Sequence, residues 1–188
     1  KNTDCYKWDA HEGTLPFGVA DSDYKAPRAV RRALHRRVWQ GAFGYTVESK
    51  TYRAVVTKWI KEHYGYEVGR TQISIAGGIV FAINTILAAL TKRGDKVVVQ
   101  EPVYNAFFGV LKNIGSEVVN NALLFDGVKF SIDFDDLDKK LEGAKAFLFC
   151  SPHNPVGRIW SADDVEKVVE LCKKHGVLLI SDEIHCDF

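Results

Sequence analysis

The chain has 188 residues, of which 46% are hydrophobic, 26% charged and 12% aromatic, a globular composition with one sizeable core, or one core and part of another. Its 25 Lys and Arg against 24 Asp and Glu leave a formal net charge of +1, so electrostatics gives no reason to expect nucleic acid or an anionic membrane as partner. No apolar run is long enough to cross a bilayer, the polar stretch at residues 1–10 is unlike a signal peptide, and a cytoplasmic location is expected from the reduced state read for the cysteines.

Cys5, Cys150, Cys172 and Cys186 form no CxxC pair and no metal-ligand spacing, which points to reduced thiols and no metal site. The chain contains no methionine, begins at Lys1 and stops at Phe188 just past a strand pattern. The expectation is an amino-terminal fragment of a longer protein.

Residues 1–25 carry aromatics (Tyr6, Trp8, Phe17, Tyr24) without sustained periodicity. From Pro27 a helix is predicted, with Val30, Ala33, Leu34 and Val38 on one face. Arg28, Arg31, Arg32, Arg36 and Arg37 lie mostly off that face, and a solvated basic surface accounts for them better than an anion site. Glycine turns at residues 40–45 precede a second amphipathic helix, with Tyr52, Val55, Val56, Trp59 and Ile60 in register, which ends near Gly65.

From Gln72 the texture changes. Ile73-Ser74-Ile75 reads as a short strand, Ala76-Gly77-Gly78 as a turn, and Ile79 to Leu90, apolar nearly all round, as a buried helix. Strands are predicted at residues 96–100, 117–119, 146–150 and 177–180, and helices at 104–113, 133–141 and 162–175. In the last helix Val165, Val168, Val169 and Cys172 face inward. Most of these strands are continuous apolar runs, as a strand covered on both faces requires. Intervening helices make the connections βαβ crossovers. The fold class is therefore α/β, with a mixed, mostly parallel sheet and helices on both faces. Ligands of such sheets bind at the carboxyl ends of the strands.

Four groups sit at those ends: Ala76-Gly77-Gly78-Ile79, Glu101-Pro102-Val103-Tyr104, Ser151-Pro152-His153-Asn154-Pro155-Val156-Gly157-Arg158 and Ser181-Asp182-Glu183-Ile184-His185. Each alone has a plain alternative: a tight turn, a loop with a packed aromatic, a turn signal, a helix cap or Mg²⁺ ligand. Together and in this order they resemble the pyridoxal 5′-phosphate (PLP)-dependent class I/II aminotransferase family, fold type I, from Lys7-Trp8-Asp9 to the end of the chain. The resemblance implies a small domain begun by residues 1–40, a large PLP-binding domain begun by residues 41–188, and a homodimer.

Gly78 and Ile79 open a helix whose free N–H groups and positive dipole end suit a dianionic phosphate, and glycine at 77 and 78 leaves the approach open. The resemblance implies that Tyr104 stacks on the pyridine ring, that Asn154 donates to the phenolic oxygen, and that Asp182 faces the ring nitrogen. A buried anion there favours the protonated ring, the electron sink of this chemistry. Tyr45, in Phe43-Gly44-Tyr45-Thr46, resembles the tyrosine that reaches the neighbouring subunit's phosphate; a packed loop aromatic is the alternative.

His185 departs from the tyrosine that many members carry. With Pro152-His153-Asn154-Pro155, Lys7-Trp8-Asp9 and Val19-Ala20-Asp21-Ser22-Asp23-Tyr24, it resembles the carbon–sulfur lyase (cystathionine β-lyase-like) subgroup. A cofactor role is favoured for His185 over His153, although both could be ordinary polar loop residues. The resemblance further implies that Ala20 and Asn154 contact the substrate. It puts the Schiff-base lysine beyond Phe188, so the chain holds no catalytic residue and is expected to be inactive alone. The implied reaction is β-elimination from cystathionine or another cysteine S-conjugate. An aminotransferase and a non-catalytic protein of the same fold are the rivals.

Overall fold

In a computed structural model, residues 4–9, 13–18, 20–49 and 51–188 are described. The chain divides into two compact units, Lys1–Val68 and Gly69–Phe188.

The first unit is helical: α1 (Tyr6–Asp9), α2 (Arg28–Gln40) and α3 (Tyr52–Tyr64). Both predicted long helices are present, and each ends at a left-handed glycine, Gly41 and Gly65. The apolar face of α2 is exposed at Val30, Leu34 and Val38. Helix α1 was not expected, because four residues are too few to show a period.

The second unit carries α4 (Ile79–Leu90), β1 (Lys96–Val99), α5 (Ala106–Ile114), β2 (Glu117–Asn120), β3 (Leu124–Phe125), β4 (Phe130–Ser131), α6 (Phe134–Leu141), β5 (Ala146–Cys150), α7 (Ala162–His175) and β6 (Leu178–Asp182). The expected strand at Ile73–Ile75 is absent. Ile73 has extended dihedrals, but the segment pairs with no strand among the described residues, and an unpaired segment gains no ladder bonds.

The main sheet has the order β2-β1-β5-β6, and every pairing in it is parallel. Antiparallel pairing among the described residues is limited to the β3–β4 hairpin and a single bridge between His153 and Arg158. Strand side chains alternate between two cores. Val98, Phe147 and Phe149 pack with Leu137, Leu141, Val168 and Cys172 of α6 and α7. Val97, Val99, Ala146, Leu148 and Cys150 pack with Ile83, Leu87, Phe107, Val110 and Leu111 of α4 and α5. This two-sided burial explains why β1 and β5 are apolar at successive positions. Each large side chain removed from water here contributes roughly 1.5–3 kcal/mol.

Local signals fix the helix ends. Ser161 accepts from the Asp164 N–H while Asp164 accepts from the Ser161 N–H, a capping box that starts α7. Helices α6 and α7 are joined by Asp138, which accepts from Lys174 Nζ (2.7 Å) and His175 Nε2 (2.5 Å). These two donors, Lys174 first, hold the Asp138 carboxyl below its ordinary pKa. No helix among the described residues is long and apolar enough to cross a membrane.

Candidate functional site

Because β1, β5 and β6 are parallel, the loops that follow them leave from the same edge of the sheet. Cys150 stands opposite Asp182 in the β5–β6 register, so those two strands end level. The Ser151 N–H donates to the Asp182 carbonyl (3.0 Å), and His153 Nε2 lies 2.9 Å from the Pro102 carbonyl. The loops after β1, β5 and β6 are thus joined by hydrogen bonds.

Helix α4 brings a fourth group to this edge. It leads through Gly94-Asp95 into the start of β1, where the Gly94 N–H donates to the Gly115 carbonyl at the end of α5 and the Glu117 N–H to Asp95. Helices α4 and α5 therefore finish together at the amino edge. Since α5 starts just after Tyr104, its packed neighbour α4 also starts at the carboxyl edge, at Gly78 and Ile79. Gly78, Ile79, Tyr104, Asn154, Asp182 and His185 are consequently gathered at one edge of one sheet. Ala20 and Tyr45 lie in the first unit, where both are exposed. Val19 lies outside the described residues.

Each group presents a distinct chemistry. Gly78 has φ +126° and ψ 159°, a conformation open essentially to glycine alone. It lets the chain enter α4 with no side-chain cap over the first-turn N–H groups. Gly78→Ala is expected to lower the unfolding free energy by about 1–3 kcal/mol in urea titrations, through backbone strain, since a Cβ there meets nothing within 4 Å.

Tyr104 is 38% exposed and its ring meets Phe107 edge-on at 6.0 Å. The Asn154 carboxamide has no hydrogen-bond partner among the described residues, while its backbone N–H points at Cys150 Sγ (3.5 Å). Burial pushes the Cys150 thiol above its ordinary pKa, which suits packing beneath the loop rather than reactivity. His185 is half-buried in the turn after β6.

Asp182 is only 6% exposed. Its Oδ1 accepts from the Ile184 N–H (3.1 Å), and it forms no salt bridge among the described residues. A buried carboxylate with so little compensation is expensive unless a cationic partner meets it.

His153 was weighed below His185 in the sequence, yet it is the more deeply placed: 1% exposed, with Trp160 edge-on at 5.5 Å. Burial holds its pKa below the ordinary histidine value, with the hydrogen bond to Pro102 acting in the opposite sense. The only sequence signal was its place within the Asn-Pro turn.

In the first unit the upstream motif pieces meet each other. Asp23 accepts from Lys7 Nζ (3.1 Å) and Trp8 Nε1 (2.9 Å), and Lys7 also donates to the Asp21 carbonyl (2.8 Å). The Lys7 and Trp8 bonds lower the Asp23 pKa.

The family described as aminotransferase class I and II matches residues 13–188. Cystathionine beta-lyase PatB of Bacillus subtilis (strain 168) is 40% identical over 193 aligned residues, covering 98% of this chain and 50% of that protein. Cystalysin of Treponema denticola, solved with PLP, is 34% identical with a TM-score of 0.93, covering 100% of this chain and 50% of its own. A PLP-bound C-S lyase of Staphylococcus hominis is 30% identical with a TM-score of 0.94, over the same shares. The chain spans about half the length of the curated relatives it matches. Its fold is that of the type I PLP-dependent transferases, a mostly parallel sheet with helices on both faces. The chain belongs to the PLP-dependent aminotransferase class I and II family.

Proposed function

We propose that the protein catalyses PLP-dependent β-elimination on cystathionine or another cysteine S-conjugate, giving a thiol, pyruvate and ammonia. The observation that carries this reading is Asp182: a buried, unpaired carboxylate at the sheet edge that also holds Gly78, Tyr104 and Asn154. The 40% identity to a cystathionine beta-lyase supports the lyase over other chemistries of the family.

The residues present fit PLP. The uncapped α4 terminus at Gly78 and Ile79 offers N–H donors to a phosphate dianion. The partly exposed Tyr104 ring offers an aromatic face, and the unpartnered Asn154 amide offers a neutral donor for the phenolic oxygen. His185, half-buried in the turn after β6, is assigned a contact with that same oxygen. When bound, PLP supplies an electron sink for the pair left at the substrate Cα. Asp182 holds a proton on the ring nitrogen by keeping its negative charge beside it, in a setting where water screens little. Substrate contact is assigned to Asn154 and, by the resemblance, to Ala20.

The same reading assigns residues 1–40 to a small domain and 41–188 to the large one, and Tyr45 to the neighbouring subunit's phosphate in a cytoplasmic homodimer. The Schiff-base lysine is assigned to sequence beyond Phe188, so residues 1–188 alone should not turn over substrate. An ordinary aminotransferase is the second reading, favoured by the family match itself. Incubating the full-length protein with L-cystathionine separates them. Pyruvate released without added keto acid is the expected result; pyruvate formed only when a keto acid is supplied would overturn the lyase.

A further inference from the structure

We propose that His153 is a positioning residue, whose Nε2–H bond to the Pro102 carbonyl sets the separation between the loop carrying Tyr104 and the loop carrying Asn154. This rests on reading the carboxyl edge as the PLP site.

The tautomer follows from the partner. The Pro102 carbonyl oxygen can only accept, so Nε2 carries the hydrogen and Nδ1 is bare. Nδ1 is buried and has no hydrogen-bond partner. An apolar side chain of similar size would avoid that unsatisfied atom, so histidine is a costly choice for filling space alone. What it provides that an apolar residue cannot is the donor to Pro102.

The rest of His153 is immobilised on the β5 side. Its N–H donates to the Arg158 carbonyl (2.7 Å), and its carbonyl accepts from the Gly157 N–H (2.9 Å), closing the turn with Asn154 at its head. The imidazole is held edge-on to Trp160, whose Nε1 donates to the Cys150 carbonyl (3.0 Å) at the end of β5. Meanwhile the β1 loop is tied on its other flank to the β2 side, through the Asn121 N–H to Val99 and the Leu123 N–H to Glu101. His153 supplies the tie toward β5. Pro102 precedes Tyr104 by two residues and His153 adjoins Asn154, so the bond spans the gap into which a flat ring between Tyr104 and Asn154 must fit. Burial keeps the imidazole neutral near pH 7, as a single-donor role requires.

The test compares H153Q with H153N in the full-length protein. A glutamine amide reaches the position of Nε2, whereas an asparagine amide stops short of it. PLP affinity is measured by titrating the apo protein, the visible circular dichroism of bound PLP reports the ring's seating, and the apo Tm serves as the folding control. H153N is expected to bind PLP about tenfold more weakly, the loss of one buried hydrogen bond, with an altered visible signal. H153Q is expected to restore both toward wild type. H153M, which keeps the length without the donor, gives the same comparison if H153N does not fold. Wild-type affinity and signal in the donorless variants, whatever their Tm, would overturn the positioning role, as would equal losses in H153Q and H153N. A wild-type protein that takes up no PLP overturns the cofactor reading and this inference together, whereas wild-type uptake with unaffected variants sinks the inference alone.

Discussion

On the proposed lyase reading, Asp182→Asn is expected to lower kcat/KM for pyruvate release by the full-length protein by about 10²–10³-fold, the scale on which one preorganised electrostatic partner acts. The substitution is chosen because asparagine keeps an oxygen for the Ile184 N–H, so the turn after β6 survives. What is lost is the charge. On the proposed reading a neutral amide would no longer favour a proton on the ring nitrogen, and the electron sink would weaken with it. Steady-state kinetics on L-cystathionine, with far-ultraviolet circular dichroism as the folding control, measures the effect. Activity within a few-fold of wild type would mean that Asp182 faces something other than the ring.

Phe147→Ala is expected to destabilise the second unit by about 3–5 kcal/mol, read from guanidinium unfolding. Phe147 is fully buried, lies 5.7 Å from the Phe149 ring, and shares a core with Leu137, Leu141 and Val168. Removing its ring leaves a cavity that β5, clamped between β1 and β6, cannot collapse to fill. Phe147→Leu should cost less, because more of the volume is kept. The alanine variant should also release PLP more readily, since β5 delivers Asn154 and is level with Asp182.

The two substitutions separate chemistry from scaffold. Asp182→Asn should lower turnover without lowering the unfolding midpoint. Phe147→Ala should move the midpoint first, with turnover falling because the edge loops loosen.

Much of this was legible in the sequence because the signals are local. A buried strand such as residues 146–150 announces itself by consecutive apolar residues, and the polar Ser151–Arg158 run after it marks a carboxyl-end loop. Helix α7 is readable at both ends, from the Ser161 cap to Gly176. Where the signal needs a partner, it failed. Ile73–Ile75 has strand composition but no neighbouring strand to complete it among the described residues, and the stripe of α2 has the right period without a covering surface. Likewise, residue type alone did not separate His153 from His185, since burial is a property of the surroundings.

By itself, then, the order of residues determined the α/β alternation and the polar groups that follow β1, β5 and β6, because periodicity and turn chemistry act over a few neighbours, while the family was read from the resemblance those motifs carry. Only the tertiary structure decided the order β2-β1-β5-β6, the common start of α4 and α5, and the bond from His153 to Pro102 across 51 residues of chain. Those features depend on which surfaces meet in space, and hydrogen bonds between distant segments leave no periodic trace in the sequence.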